Sequence, residues 1–301
     1  MKTQYDCIPC LVRQASEALA MVVEDKKQRE HIMRQLLTQI ASSKWTGTPP
    51  AIAQLLHRTI REMTANKDPY SSIKHEMNRI ASELIPRRRE MIKNSENPHE
   101  AAVRLAIAGN LLDSGAKTQI SAEELPEHLN RILAQKLHGN AEDLFNEAER
   151  VDNILYLADN AGEIYFDRLL LEMLPLKKIT FAVRGSPVIN DATMEDAVAA
   201  GIHEIARIIS NGSDAPGTIL DDTSHEFKSC FERAELIISK GQGNYETLSD
   251  CRKNICFLLA VKCPVIANRI GEPVGSMVVK TLNSAAGRIS NSQRNIQCPS
   301  G

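Results

Sequence analysis

An apolar run in the middle of the chain ends in two oxygen-bearing side chains. Asp159 and Asn160 follow the run from 154 to 158, and a small Ala161-Gly162 turn leads from them to Glu163. The run is typical of a strand buried on both faces of a parallel sheet. Because ligands of open α/β sheets bind at the carboxyl ends of strands, Asp159 and Asn160 are candidate ligands of a hard divalent cation.

Two further apolar runs end in a similar way. Polar residues follow one run from Arg184 to Asp191, and they follow another from Ser239 to Tyr245, which includes Lys240. Asp191 could supply another carboxylate to the metal, and Arg184 or Lys240 could place a positive charge on a phosphoryl oxygen. Each has an ordinary alternative, since Asp commonly caps helices and basic side chains at strand ends are commonly solvated.

A loop of small polar residues, from Ser210 to Thr218, follows another predicted strand. Successive backbone N–H groups in such a loop can bind an anion, which makes Ser210 a candidate phosphate-binding residue. The same composition is equally typical of a flexible surface loop.

Cys7 and Cys10 have the C-x-x-C spacing that supplies half of a tetrahedral zinc site. The remaining cysteines form no second pair of that spacing. Cys7 and Cys10 are therefore either ligands of an auxiliary metal or thiols without a metal.

The candidate residues from Asp159 onward are preceded by a long stretch that follows a helical period. Apolar residues recur at intervals of four, three and four between Ile73 and Leu84, which predicts a helix that begins after Pro69 and ends at Pro86. The basic cluster Arg87-Arg88-Arg89 is interpreted as a solvated helix end. We expect residues 1–148 to form a mainly helical domain that covers the site.

The pattern changes after residue 148, where short runs of Ile, Val and Leu alternate with helical segments. Strands are predicted at 153–158, 179–184, 206–210, 236–239 and 255–260, and helices at 162–174, 191–200, 223–234 and about 245–252. This alternation is typical of βαβ units. Residues 149–301 are therefore predicted to be an α/β domain with a mostly parallel, Rossmann-like sheet that binds metal and phosphate.

The composition, 43% hydrophobic and 25% charged, is that of an ordinary globular protein. A net charge of −2 gives no global attraction to nucleic acid or to an anionic membrane. No run approaches the ~20 apolar residues of a membrane span, and the first residues lack the apolar core of a secretory signal. Scattered cysteines predict mostly buried thiols rather than a disulfide framework. We expect a cytoplasmic protein with neither nucleic acid nor membrane as a partner.

With these motifs in place, the sequence resembles the metal-dependent damage-control phosphatases, the ARMT-like family formerly called protein of unknown function 89. Within that family it is similar to the archaeal and bacterial subfamily with an N-terminal C-x-x-C. The matching segments occur in order along the chain: Tyr5 to Leu11, Asp68 to Lys74, Ala106 to Asn110, Asp159 to Glu163, Arg184 to Thr193, Lys240 to Glu246 and Cys263 to Ala267.

The resemblance implies a helical N-terminal domain on a three-layer α/β/α sandwich. It also implies one divalent metal ion, which can be Co²⁺, Ni²⁺, Mn²⁺ or Mg²⁺, bound by Asp159, Asn160 and Asp191. These are the residues that the strand ends had already singled out.

The resemblance further implies a phosphate pocket lined by Lys240 and Asn244, with Glu163 and Arg184 close by. Members of the family hydrolyse small phosphomonoesters, including sugar phosphates and damaged metabolites. A small phosphorylated metabolite is therefore the expected partner.

The expected mechanism is hydrolysis of a phosphomonoester whose phosphoryl oxygen is polarised by the metal ion. Lys240 would compensate the developing charge, and Glu163 would act as general base, with Asp159 as a covalent nucleophile in the alternative mechanism. Two other functions stay open: an S-adenosylmethionine-dependent carboxyl methyltransferase, and a non-catalytic protein that binds a metal and phosphometabolites.

Overall fold

The computed structural model describes residues 1–118 and 125–283. The helices of this part are α1 (Cys7–Val22), α2 (Lys26–Ser42), α3 (Pro49–Thr64), α4 (Ser71–Lys93), α5 (Pro98–Thr118), α6 (Leu125–Leu133), α7 (Ala141–Arg150), α8 (Glu163–Leu171), α9 (Met194–Ala199), α10 (His225–Arg233), α11 (Gly241–Leu248) and α12 (Pro264–Ile270). The strands are β1 (Leu137–His138), β2 (Ile154–Leu157), β3 (Ile179–Val183), β4 (Arg207–Ser210), β5 (Leu236–Lys240), β6 (Ile255–Ala260) and β7 (Met277–Leu282). None of these helices is long and apolar enough to cross a bilayer.

The described strands form one sheet in the order β1-β7-β6-β5-β2-β3-β4. Strands β2 to β6 run parallel to one another, whereas β7 runs antiparallel to β6. Strands β3 and β4 extend the sheet on one side of β2, and β5 and β6 extend it on the other. The strand order therefore reverses between β2 and β5, and ligands of doubly wound sheets bind at such a point.

Helices cover both faces of the sheet, which confirms the predicted α/β/α sandwich. Ile154 and Tyr156 of β2 face a core shared with helices that include α5, α7 and α8. Leu155 and Leu157 face the opposite core, which is shared with α10, α11 and α12. Successive side chains of a strand point to opposite faces, so a strand covered on both sides is apolar throughout.

The first helices form a core of their own. Leu19, Leu36 and Ile60 belong to this α1–α3 core, whereas α4 to α7 share the core on one face of the sheet. Strand β1 also lies before residue 148, and it pairs with β7. The division of the chain at residue 148 stays a prediction, and residues 284–301 of the second predicted domain lie outside the described residues.

The prediction that a helix ends at Pro86 is wrong, because α4 continues through this proline to Lys93. Pro86 lacks the N–H that would reach the carbonyl of Ser82, but Ser82 is exposed, so water can satisfy that carbonyl. The interpretation of the basic cluster as solvated is also wrong for Arg88. This side chain is buried and donates to Oδ1 of Asn130 (2.8 Å).

Two strands and one helix boundary also differ from the predictions. Strand β1 has only two residues, too few to show a period, and β7 lies beyond the last predicted strand. Helix α11 begins at Gly241 rather than near residue 245. Gly241 has a φ of +77°, which turns the chain directly from β5 into the helix.

Most of the described cysteines fit the predicted thiols. Cys7, Cys230 and Cys256 are free and buried, and Cys10 is free and exposed. Cys251 is disulfide-bonded, so the expectation of a free thiol fails at this position.

Candidate active site

Backbone hydrogen bonds join the polar segments that follow β2 and β3. The N–H of Ala192 donates to the carbonyl of Asp159 (2.7 Å), and the N–H of Ala161 donates to the carbonyl of Asn190 (2.9 Å). Between these bonds, Asn160 and Asp191 form an antiparallel bridge. The three predicted metal ligands, Asp159, Asn160 and Asp191, therefore lie on two adjacent backbone segments in a fixed register.

The alternative role of Asp159 and Asp191 as helix caps does not apply. Helix α8 is capped by Gly162, and α9 is capped by Thr193 in a capping box. Asp159 and Asp191 are nevertheless buried, with only 8% and 4% of their surface exposed. Buried carboxylates without a capping role need another source of stabilisation.

Two neutral amides link Asp159 to Glu163, the first residue of α8. Nδ2 of Asn110 donates to Oδ2 of Asp159 (2.6 Å) and to Oε2 of Glu163 (2.7 Å). Nδ2 of Asn160 donates to the same two oxygens, at 3.1 and 2.9 Å. Sequence reasoning included Asn110 in a family motif but gave it no role, because nothing local indicates that α5 places it beside Asp159.

Arg184 lies between the two predicted carboxylate ligands. Its Nε donates to Oδ2 of Asp191 (2.6 Å), and its Nη2 lies 3.7 Å from Oδ1 of Asp159. The guanidinium is buried, and Nη2 has no hydrogen-bond partner. Arg184 is therefore not a solvated side chain, and it retains donor capacity for a further acceptor such as a phosphoryl oxygen.

Lys240 is fully buried and already has three acceptors. Its Nζ donates to the carbonyl of Ala106 (2.9 Å), to Oδ1 of Asp167 (2.6 Å) and to Oε1 of Glu163. Burial favours the neutral amine, but Asp167 and Glu163 outweigh it and raise the pKa of Lys240 above its usual value. The structure thus places Lys240 in a buried ion-pair network, and its contact with a phosphate stays a prediction.

Asp167 is a member of the site that sequence reasoning missed. It lies four residues after Glu163 on α8, and this spacing puts both carboxylates on one helix face. That spacing is the signal that could have identified it. Burial raises the pKa of Asp167 to about 7, with Lys240 opposing the rise and Glu163 adding to it.

Buried negative charge exceeds buried positive charge at this edge of the sheet. The buried acidic residues are Asp159, Glu163, Asp167 and Asp191, and the buried basic residues in contact with them are Arg184 and Lys240. Burial raises the pKa of Asp159 well above its usual value, and repulsion from Asp191 and Glu163 adds to the rise. Burial also raises the pKa of Asp191, although Arg184 opposes it. With all four carboxylates ionised, two negative charges are left without a buried counterion.

The donor chemistry of this group suits a hard divalent cation. No three His, Cys, Asp or Glu side chains among the described residues form a ready-made metal site. Asp159 and Asp191 nevertheless offer two carboxylates, Asn160 offers an amide, and Oδ1 of Asn110 is buried without a partner. Oxygen donors and an excess of two negative charges match the requirements of such an ion.

Gly241 brings the start of α11 against Asp159. A Cβ at this position would overlap with the carboxylate oxygens of Asp159. Together with its positive φ, this close approach makes any residue with a Cβ unfavourable at Gly241. Strands β2 and β5 therefore contribute to the same site, as the reversal of strand order predicts.

Asn244 connects three parts of the site and is fully buried. Its Nδ2 donates to the carbonyls of Ala158 (3.1 Å) and Lys240 (2.8 Å). Its Oδ1 accepts from Oγ1 of Thr218 (2.8 Å) and from Nη1 of Arg184 (3.3 Å). These bonds fix the amide so that it orients Arg184.

The loop from Ser210 to Thr218 is tightly held. Oγ of Ser210 accepts from the N–H of Gly212 (3.0 Å), and Oδ1 of Asn211 accepts from the N–H groups of Gly185 (3.0 Å) and Ser213 (2.9 Å). Several amides that could have bound an anion thus have partners. The phosphate-binding role of Ser210 stays a prediction.

Cys7 and Cys10 are not part of the group around Asp159. They lie in the first turns of α1, where Cys7 is buried and Cys10 is exposed. Burial raises the pKa of the Cys7 thiol, and the nearby charges that affect it belong to Glu246, Cys263 and Cys10. An auxiliary metal at this pair stays a prediction.

Comparison with known proteins gives one consistent family. Residues 3–278 match the model of the damage-control phosphatase ARMT1-like domain. The chain is 36% identical over 287 residues to a damage-control phosphatase of Pyrococcus horikoshii, with 92% of this chain and 97% of that protein covered. It is 35% identical over 289 residues to a damage-control phosphatase of Archaeoglobus fulgidus, with 94% and 100% covered. The crystal structure of a DUF89 family protein from Pyrococcus horikoshii is similar, with a TM-score of 0.85, 34% identity, and 93% of this chain and 99% of that chain covered.

Proposed function

The chain belongs to the damage-control phosphatase ARMT1-like family, and from this premise we propose that its buried acidic site hydrolyses small phosphomonoesters with one divalent metal ion. The protein is thus an enzyme, a phosphatase. Its proposed site lies where β2, β3 and β5 end, at the reversal of strand order.

The observation that carries the metal assignment is the uncompensated buried charge. Burial raises the pKa values of Asp159 and Asp191, and the negative charge of Glu163 adds to the rise at both residues. Buried carboxylates whose pKa values are raised in this way are typical of functional sites. Arg184 and Lys240 balance two of the four buried negative charges, and a divalent cation would balance the other two.

We assign Asp159, Asn160 and Asp191 as the residues that hold the cation. When bound, the cation supplies positive charge that polarises the phosphoryl group and stabilises its transition state. The all-oxygen donor set suits Mg²⁺ and Mn²⁺ better than Co²⁺ or Ni²⁺ among the four ions expected.

Arg184 is proposed to bind the phosphoryl group. Its Nη2 is buried, has no hydrogen-bond partner and lies beside Asp159. A phosphoryl oxygen would complete its hydrogen bonding, and Asn244 would hold the guanidinium in place. Lys240 is proposed to hold Glu163 in position, because its ammonium group contacts the carboxylate of Glu163.

Glu163 is proposed to accept a proton from the attacking water, since it is the carboxylate next to the metal ligands. Covalent attack by Asp159 is the alternative. Trapping with hydroxylamine during a single turnover distinguishes the two mechanisms, because hydroxylamine displaces phosphate from an acyl phosphate and leaves a hydroxamate on the carboxyl carbon. Direct attack by water leaves Asp159 unmodified, whereas a hydroxamate at Asp159 would show that Asp159 is the nucleophile.

The substrate is proposed to be a small phosphorylated metabolite, and the location is proposed to be the cytoplasm, where such metabolites are made. The family match gives no support to a carboxyl methyltransferase. A binding protein without turnover is distinguished by the experiment below.

The direct test uses metal-free protein and a generic aryl phosphate. We expect phosphate release when Mn²⁺, Mg²⁺, Co²⁺ or Ni²⁺ is supplied, and no release with Asp159→Ala. Asp152→Ala is the matched control, because Asp152 is exposed at the opposite end of β2. If no metal restores turnover to the wild type while the metal still binds, the protein is a binding protein and the proposed function is wrong.

A further inference from the structure

Ile189 has a backbone conformation that is unusual for its residue type. Its φ is +46°, in the left-handed region, where a β-branched side chain is disfavoured. The N–H of Asp191 donates to the carbonyl of Val188 (3.1 Å), so Ile189 is the first central residue of a tight turn. Turns with a positive φ at this position normally have Gly, Asn or Asp there.

This turn directly precedes a proposed metal ligand. The two central residues, Ile189 and Asn190, are followed by Asp191, which forms the bridge with Asn160. The carbonyl of Asn190 also accepts from the N–H of Ala161 (2.9 Å). A change in the direction of the turn would therefore displace Asp191 from Asp159 and Asn160.

The turn contacts the α1–α3 core, which is separate from the two cores on the faces of the sheet. The side chain of Ile189 packs against this core, although it lies far along the chain from these helices. Nη1 of Arg61, on α3, donates to the carbonyl of Pro187 (3.0 Å) and adds a polar contact to the same loop. Packing of Ile189 thus offsets the strain of its backbone, as a strained residue requires.

We infer that Ile189 is a positioning residue, whose packing into the α1–α3 core holds the left-handed turn that places Asp191 at the metal. This inference rests on the proposed function, because it takes Asp191 as a ligand. It links the first three helices to the metal site through one apolar side chain. Ala at this position would have the strain without the packing, whereas Gly would adopt the turn without strain.

The test measures Mn²⁺ binding to metal-free protein by calorimetry, without substrate, and unfolding in urea. Ile189→Ala is expected to weaken Mn²⁺ binding by about 10-fold or more, as loss of a supporting contact does at metal sites. Ile189→Gly should bind within about 3-fold of the wild type, because it adopts the turn without strain although it lacks the packing of Ile189. Ile189→Asn, which also tolerates a positive φ, should bind like Ile189→Gly.

Ile32→Ala is the matched control, because Ile32 is a buried isoleucine of the same core and lies on α2. It should lower stability and leave Mn²⁺ affinity unchanged. The inference is overturned if Ile189→Ala binds Mn²⁺ like the wild type, if Ile189→Gly binds more weakly than Ile189→Ala, or if Ile32→Ala weakens binding equally. Wild-type affinity in Asp191→Asn would instead show that the proposed metal site itself is wrong, and the inference would fail with it.

Discussion

At the scale of single residues, the stability of the site depends on the two buried basic side chains that contact its buried carboxylates. Lys240 contacts Glu163 and Asp167, and Arg184 contacts Asp191 and lies near Asp159. Removing one partner of a buried ion pair leaves an uncompensated charge, which is far more destabilising than losing an exposed pair. Lys240 should therefore matter for folding as well as for the position of Glu163.

Lys240→Met is expected to lower the free energy of unfolding of the metal-free protein by about 3–5 kcal/mol, because Glu163 and Asp167 lose their buried cation. Unfolding in urea measures this change. Lys93→Met is the control, since Lys93 pairs with Glu90 on the exposed surface of α4, and no measurable change is expected. Equal stability of the Lys240 variant and the wild type would contradict the assignment of a structural ion pair.

Sequence reasoning could place residues that follow strands, but not those that reach the site from elsewhere. Asp159 and Arg184 follow parallel strands of the sheet and Lys240 ends another, and the structure brings these residues together at one edge. Asn110 reaches the same site from α5, a contact across 49 positions that no local pattern encodes. Tertiary packing alone decides such a contact.

At the scale of secondary structure elements, the start of α11 is the most constrained boundary. Gly241 combines a positive φ with a close approach to Asp159. The sequence predicted that this helix begins at about residue 245, and the helix in fact begins at Gly241, the first glycine of Lys-Gly-Gln-Gly-Asn. Its glycines serve close packing rather than flexibility.

Gly241→Ala is expected to lower stability by about 1–3 kcal/mol and to reduce Mn²⁺ affinity at least 10-fold, because the added Cβ displaces Asp159. Gly271→Ala is the matched control. Gly271 also has a positive φ, of +91°, but no atom lies within 4 Å of its added Cβ. The control should lose stability and keep its Mn²⁺ affinity; a similar loss of affinity in both variants would contradict the contact with Asp159.

Helix α3 should make stability depend on pH through His57. Burial lowers the pKa of His57 to about 4, and the charge of Arg61 adds to this effect while Asp214 opposes it. The unfolded chain, with a pKa near 6.5, therefore binds more protons between about pH 6.5 and 4. Stability is lost as the pH falls through that range, by up to about 3 kcal/mol from this residue.

His57→Leu removes this titration, and it is a tolerable replacement because Nε2 of His57 is buried without a partner. The difference in urea midpoint between the wild type and His57→Leu should shift in favour of the variant as the pH falls from 7.5 to 4.5. Carboxyl groups titrate in both proteins, so the difference between the two urea midpoints reports the titration of His57. Parallel pH curves would show that His57 is not held neutral.

At the scale of the whole molecule, the carboxylates of Asp214 and Asp222 join α3 to the α/β part. Asp214 accepts from Nε2 of Gln54 (2.7 Å), from Nη2 of Arg58 (2.5 Å) and from Arg61, all on α3. Composition favoured a flexible loop or an anion cradle here, and it could not reveal partners that lie about 150 positions away in sequence. Through Asp214 the loop instead binds α3 and connects this helix to the site.

Asp214→Asn is expected to lower stability by about 1–3 kcal/mol, because its charged hydrogen bonds with α3 are weakened. Hydrogen exchange should increase in α1–α3 more than in the strands, since the loss is confined to this contact. Asp221→Asn is the control, because Asp221 is an exposed carboxylate in the same region. Equal exchange in both variants would show that Asp214 does not fasten these helices.

The most direct test of the account is to locate Mn²⁺ by anomalous diffraction from crystals of the metal-loaded protein. We expect one site per chain, with oxygens of Asp159, Asn160 and Asp191 at about 2.0–2.6 Å from the ion. In Asp191→Asn the anomalous peak should be weak or lost. A wild-type structure with no peak beside Asp159, or with its only peak at Cys7 and Cys10, would contradict the assignment of the metal site.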